Sequence, residues 1–115
     1  MTLREARCLF TRCLADLIYW ATSHGYEVAF AEGMDRLTPT DPTSDHMAGS
    51  LHHLGLAQDI DLYRAGKWCE RTEDHLPLGV YWEELGAERN IPLTWGGRFS
   101  KPDGNHYSFT WGGRS

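Results

Sequence analysis

The sequence predicts an α+β domain on three observations: a long helical repeat of apolar residues near the N-terminus, two short stretches of alternating polarity, and clusters of turn-forming residues between them. Residues 3–21 hold no Gly or Pro, and Leu3, Ala6, Leu9, Phe10, Cys13, Leu14, Leu17 and Ile18 recur at helical spacing. His24-Gly25 ends this helix, because glycine is the usual residue just past a helix C-terminus. Tyr26–Phe30 then alternates as a strand. From Gly33 to Gly49 the chain is rich in Asp, Thr, Ser and Pro, so a long loop is expected there, and long loops inside compact domains are often functional. Ala57–Tyr63 alternates again and predicts a half-buried strand. A loop from Lys67 to Pro77 leads to a second helix over Leu78–Glu88, stopped near Asn90-Ile-Pro92. Trp95–Phe99 and Asn105–Trp111 bracket a Lys101-Pro-Asp-Gly104 turn, which makes the tail a loop and an edge strand.

At 115 residues the chain is most simply one domain, residues 1–115, long enough to bury a core without disulfides. No linker rich in Gly, Ser or Pro divides it, and the repeated Trp-Gly-Gly-Arg at 95–98 and 111–114 is too short for a repeat architecture, so it reads as local turn chemistry. With 11 basic and 16 acidic residues the formal charge is −5, which argues against a general binder of nucleic acid or anionic membrane. Cys8, Cys13 and Cys69 are odd in number and lack metal-type spacing; they read as small buried hydrophobes in a chain made under reducing conditions. The mixed-charge N-terminus and Asp16 within the later apolar run argue against a signal peptide or a membrane span.

Ser50-Leu-His-His-Leu-Gly-Leu-Ala-Gln-Asp59 sets an imidazole and a carboxylate seven residues apart around a glycine. On one straight strand His52 and Asp59 would stand ~23 Å apart on opposite faces, and on one straight helix roughly 10 Å apart along the axis. Zinc ligands lie only ~2.0–2.2 Å from the metal, so the chain must bend for one ion to hold both. Gly55 is the residue best able to bend it. With His106 as third ligand the site keeps a position for water, whose pKa zinc lowers towards ~7. Asp103, three residues before His106, is placed to take a proton from that water and return it to a leaving amine. Asp61 shares a strand face with Asp59 by alternation, and His53 adjoins His52.

Ser50-x-His52-x-x-Gly55-x-Ala57-x-Asp59, followed by Trp95-Gly-Gly-x-Phe99 and Asp103-x-x-His106, resembles the zinc DD- and LD-peptidases of the VanY/VanX type. The tryptophan with two glycines, the Asp-x-x-His spacing and the short chain are most similar to the phage endolysin branch, the L-alanyl-D-glutamate peptidases. The likeness runs over roughly residues 30 to 110. It implies a hedgehog/DD-peptidase-like fold, in which a small antiparallel sheet carries the zinc site and helices pack on one side. It also implies zinc ligands His52, Asp59 and His106, Asp103 as general base, and an upstream arginine holding substrate or a developing oxyanion, for which Arg36 is the candidate. Trp95 would wall the cleft, and Ser50 would either bond near the site or shape the turn. Leu51 stands where the family often has a basic residue, and Tyr107-Ser-Phe where an acidic one is common. Asp59 rather than Asp61 fits the motif; His53 reads either as solvent-facing or as a ligand mimic or supporting donor beside the site, and His24, His46 and His75 read as surface residues, with lining of the cleft as the alternative for His46.

The resemblance implies hydrolysis of an amide in the stem peptide of bacterial peptidoglycan, most simply the L-alanyl-D-glutamate bond. The expected enzyme is a monomer without a separate wall-binding module, made in the host cytoplasm and meeting the wall after the membrane is breached. A D-alanyl-D-alanine carboxypeptidase or dipeptidase would use the same metal chemistry. A zinc-stabilised binding domain without turnover would share the ligands but have no use for Asp103.

Overall fold

In a computed structural model of the chain, which describes residues 1–31 and 50–115, the N-terminal pattern forms one helix, α1 (Leu3–Ser23). A capping box starts it: the Thr2 hydroxyl accepts the Glu5 N–H at 3.1 Å and the Glu5 carboxylate accepts the Thr2 N–H at 3.1 Å. Its buried stripe is Ala6, Phe10, Cys13, Leu14, Leu17 and Ala21, the inward half of the helical repeat. The chain reverses through Gly25 (φ +89°) into β1 (Tyr26–Phe30). The long loop expected at 33–49, with Arg36 and His46, lies outside the described residues.

The chain continues through α2 (Leu51–Leu54), β2 (Ala57–Arg64) and β3 (Lys67–Trp68). Ala65 (φ +52°) and Gly66 (φ +76°) make the two-residue turn joining β2 to β3, with the left-handed angles that match strand twist. A 3-10 turn (Thr72–His75) then runs into α3 (Leu76–Arg89), with Pro77 in the first helical turn, where its missing N–H costs nothing. β4 (Leu93–Trp95), a 3-10 turn (Gly96–Arg98) and β5 (His106–Phe109) complete the order. Among the described residues the sheet runs β1-β2-β5-β4, antiparallel throughout, with β3 also paired to β2.

β5 is therefore an interior strand and not the edge strand its tail position suggested. All four of its residues are buried, so no polarity alternation marks its faces. Ile60 and Leu62 on β2, Tyr107 and Phe109 on β5, and Leu78, Trp82 and Leu85 on α3 join the α1 stripe in one core, with the helices on one side of the sheet. Trp82 meets Phe10 and Tyr107 edge-on, and its Nε1–H donates to the Thr94 carbonyl at 3.0 Å. Arg89 on α3 pairs with Asp16 on α1 at 2.7 Å.

The cysteines divide by environment: Cys13 is in the core, Cys69 half-buried and Cys8 exposed, all as free thiols. Cys8 corrects the expectation of burial, because it falls outside the inward stripe of α1. Among the described residues no helix is long and apolar enough to cross a membrane.

Candidate metal centre

The centre starts with a helix one turn long. Ser50 is the N-cap of α2, its hydroxyl accepting the His53 N–H at 3.5 Å, so the described contact of Ser50 is one that shapes the turn. Gly55 ends the turn in the left-handed region (φ +76°), and Leu56 N–H closes back on the Leu51 carbonyl at 2.8 Å. This reversal is the bend that the His52-to-Asp59 spacing demanded. It returns the chain into β2, where Asp59 sits directly across from His106 on β5. Ile60 and Leu62 alternate inward to the helices, so Asp59 and His106 share the opposite face of the sheet.

Three ligand atoms converge there. Asp59 Oδ1 lies 3.6 Å from His52 Nε2 and 3.5 Å from His106 Nδ1, and one ligand atom from each residue falls within 4.8 Å of the others. Tetrahedral zinc bonds of about 2.0–2.2 Å would set neighbouring ligand atoms roughly 3.3–3.6 Å apart, so the two measured separations suit one ion. The side chains are only 11%, 19% and 8% exposed, in the order His52, Asp59, His106, which keeps bulk water from competing for their lone pairs. The donor set of two imidazoles and one carboxylate also matches the chemistry zinc accepts at catalytic sites.

His106 is oriented from behind. Its Nε2 lies 3.2 Å from the Ser115 carbonyl; donation there fixes the tautomer that leaves the Nδ1 lone pair facing Asp59 and His52. Ser115 is brought back by a tight turn in which Trp111 and Arg114 exchange backbone hydrogen bonds at 2.9 and 3.0 Å around Gly112 (φ +58°) and Gly113 (φ +78°). The Phe99 ring packs against the His106 imidazole with centroids 5.4 Å apart.

The Trp95-Gly-Gly element supports the site from below instead of lining it. Trp95 is 2% exposed and its Nε1–H donates to the Gly104 carbonyl at 2.7 Å. The expected cleft wall is therefore corrected to a core residue: its indole lies flat on Gly79 and Gly97, where a Cβ would come within 2.1 and 2.3 Å of the ring. Gly96 is equally constrained, since a Cβ there would stand 2.3 Å from the Asp103 carbonyl oxygen and 2.8 Å from His106 Cβ. Its own carbonyl accepts the Asp103 N–H at 2.9 Å, and the Asp103 carbonyl accepts the His106 N–H at 3.2 Å. The turn carrying Asp103 into His106 is thus held at both ends.

Asp103 itself is exposed and lines a recess of about 220 Å³ with Asp61, Thr72, His75 and Asn105. Asp61 belongs to this recess and not to the three-residue cluster, which separates it from Asp59. His53 is exposed and outside the cluster.

Residues 72–75 brace the turn before His106 without any sequence pattern that marks them for it. The Thr72 hydroxyl accepts the Gly104 N–H at 3.2 Å, and His75 Nδ1 lies 3.0 Å from the Tyr107 hydroxyl. His75 was expected on the surface, yet it is 2% exposed, because the 3-10 turn drives its ring inward against β5. Burial holds this imidazole below its ordinary pKa and pushes the Tyr107 phenol up. No local periodicity marks such contacts, which join residues 32 positions apart.

Fold and centre together define an α+β domain with a small antiparallel sheet, helices on one side, and a His/Asp/His cluster able to hold a metal ion. A solved structure with this fold is that of the L-Ala D-Glu endopeptidase ChiX from Serratia marcescens, at a TM-score of 0.60 and 22% identity over 84% of this chain and 77% of that one. No family model and no curated protein matches the chain.

Proposed function

We propose that this protein is a zinc metallopeptidase that hydrolyses an amide bond in the stem peptide of bacterial peptidoglycan, and that the bond is L-alanyl-D-glutamate. The observation that carries the reading is the convergence of His52 Nε2, Asp59 Oδ1 and His106 Nδ1 from a turn and two strands. The shared fold with an L-Ala D-Glu endopeptidase supports the substrate class.

In this reading His52, Asp59 and His106 hold the ion, the imidazoles neutral and the carboxylate ionised. Bound zinc supplies Lewis acidity towards a carbonyl and a water nucleophile at neutral pH. The Ser115 carbonyl keeps His106 in the ligating tautomer, and the β2–β5 ladder holds Asp59 opposite it. Asp103 takes the proton of the attacking water and passes it to the leaving amine. Arg36 holds the substrate or the developing oxyanion, and Ser50 contributes to substrate binding through the turn it caps. The protein acts as a monomer, on the wall rather than on nucleic acid or a membrane.

Incubating the zinc-loaded protein with defined muropeptides and identifying new termini by mass spectrometry tests this. A new N-terminal D-glutamate is expected. Release of terminal D-alanine would replace the assignment with a D-alanyl-D-alanine peptidase, and intact muropeptides with zinc bound would leave a binding domain.

A further inference from the structure

A groove of about 810 Å³ runs along the N-terminal half of α1 and ends at His52, so one residue belongs to both the groove and the metal cluster. Arg4, Arg7, Phe10, Phe30 and Gln58 line it with that histidine. Its chemistry is unusual for the molecule: the chain carries a formal charge of −5, yet these walls bring in arginines.

Arg4 and Arg7 also differ from four other arginines of the chain. Arg12, Arg71, Arg89 and Arg98 each lie within 4 Å of a carboxylate. Among the described residues no ion pair or hydrogen bond engages the guanidinium of Arg4 or Arg7, and Arg7 takes part only through its backbone carbonyl, which accepts the Thr11 hydroxyl at 2.8 Å. Arg7 is seated beside the site by a glycine. A Cβ at Gly55 would stand 2.8 Å from Arg7 Nε, so Gly55 both bends the chain after His52 and lets this guanidinium lie against the bend.

We infer that Arg4 and Arg7 form an anion subsite that binds the free carboxylate of an acidic stem peptide next to the metal centre. The inference rests on the proposed peptidase reading and deepens it. Glutamate has two carboxyl groups, and continuing the peptide uses one, so the other stays ionised unless it is amidated. A guanidinium recognises such a carboxylate through charge-assisted, often bidentate hydrogen bonds, and a carboxamide offers it a neutral and weaker acceptor. The exposed ring of Phe30 supplies apolar contact for the rest of the peptide.

The test uses the zinc-loaded full chain and two L-alanyl-D-glutamyl tripeptides that differ only in that carboxylate, ionised in one and amidated in the other. The parent is expected to favour the ionised peptide in kcat/KM by at least about 10-fold, the scale of one charge-assisted hydrogen bond. In Arg7→Gln and in Arg4→Gln/Arg7→Gln the ratio falls towards one through a rise in KM for the ionised peptide. Arg7→Lys restores part of it. Both arginines are exposed, so folding and zinc content should match the parent. An unchanged preference in the double variant, or no preference in the parent, overturns the subsite. A parent that cuts neither peptide overturns the proposed activity instead. Calorimetric binding of the two peptides then decides the subsite: tighter binding of the ionised peptide that the double variant loses supports it, and equal affinities reject it.

Discussion

A carboxylate oxygen that faces two imidazole nitrogens at 3.5 and 3.6 Å admits two chemistries, an ion pair to a protonated histidine or shared ligation of a cation. Donation from His106 Nε2 to the Ser115 carbonyl is compatible with both, because a neutral ring then keeps a lone pair on Nδ1 and a protonated ring carries a hydrogen there. The two readings separate by mutation. The parent should bind stoichiometric zinc, measured by elemental analysis after dialysis, and melt higher with it, and His106→Ala should lose both. Asp103→Asn should retain zinc and lose about 10²- to 10⁴-fold in kcat, the usual scale of acid–base catalysis; undiminished turnover would remove Asp103 from the mechanism. His75 makes a different demand at the same scale. Burial lowers its pKa from the ordinary 6.5, against a backbone hydrogen bond at Cys69 and the charges of Asp74 and Asp61, which raise it. As pH falls below 6.5 the unfolded chain takes up this proton before the folded chain does, so stability is full above 6.5 and drains away between 6.5 and the lower folded value. Chemical denaturation of the metal-free protein from pH 7.5 downward should show that decline. In His75→Gln the decline should be shallower, and because His52 and His106 are present in both proteins, the difference belongs to His75.

Elements differ in how far their own residues announce them. The α1 repeat is legible because one face of a 21-residue helix must be apolar all along its length, and β2 because its two faces meet different surroundings. β5 is not legible in the same way: His106-Tyr-Ser-Phe109 is buried on both faces, so its place between β2 and β4 depends on partners far away in the chain. The His52–Asp59–His106 cluster was readable because Gly55 and the His-Asp spacing have geometric consequences, whereas the 72–75 brace consists of single long-range hydrogen bonds with no pattern. Trp-Gly-Gly-Arg makes the point with one tetrapeptide in two settings. At 111–114 the glycines supply positive φ for a tight turn; at 95–98 they supply empty space beside the Asp103 carbonyl and the Trp95 ring. At Gly79 two effects of a side chain oppose each other. Alanine in the interior of α3 would gain up to ~1 kcal/mol of helix propensity. Its Cβ would also meet the Trp95 indole at 2.1–2.5 Å, and that ring cannot move without giving up its bond to Gly104. Overpacking typically costs about 1–3 kcal/mol and the lost hydrogen bond roughly 0.5–1.5 kcal/mol more, so Gly79→Ala should be destabilising on urea denaturation. Because Gly104 lies in the turn leading to His106, zinc affinity should fall with it. A more stable variant would show that the indole has room to shift.

Across the whole molecule, the three candidate ligands are not held with equal firmness. Asp59 and His106 are directly paired across the β2–β5 ladder, inside a sheet whose other face is sealed by α1 and α3. Their backbones are thus already in register for a shared metal. His52 rides on a four-residue helix, too short to be stable by itself, that leaves and rejoins the fold through Ser50 and Gly55. Leu51 alone among its residues is buried in the core. Metal binding should therefore tighten the α2 segment while changing the sheet little, since local opening draws on the least anchored part of a structure. Hydrogen exchange with and without a chelator reads this directly. The amides of Leu54 and Gly55, bonded to the Ser50 and His52 carbonyls, should gain several-fold protection with zinc. The Ile60 amide, bonded to Asn105 within the sheet, should respond only to the smaller change in global stability. Equal protection at both places would mean that zinc stabilises the domain as one unit, and that α2 is already fixed in the metal-free fold.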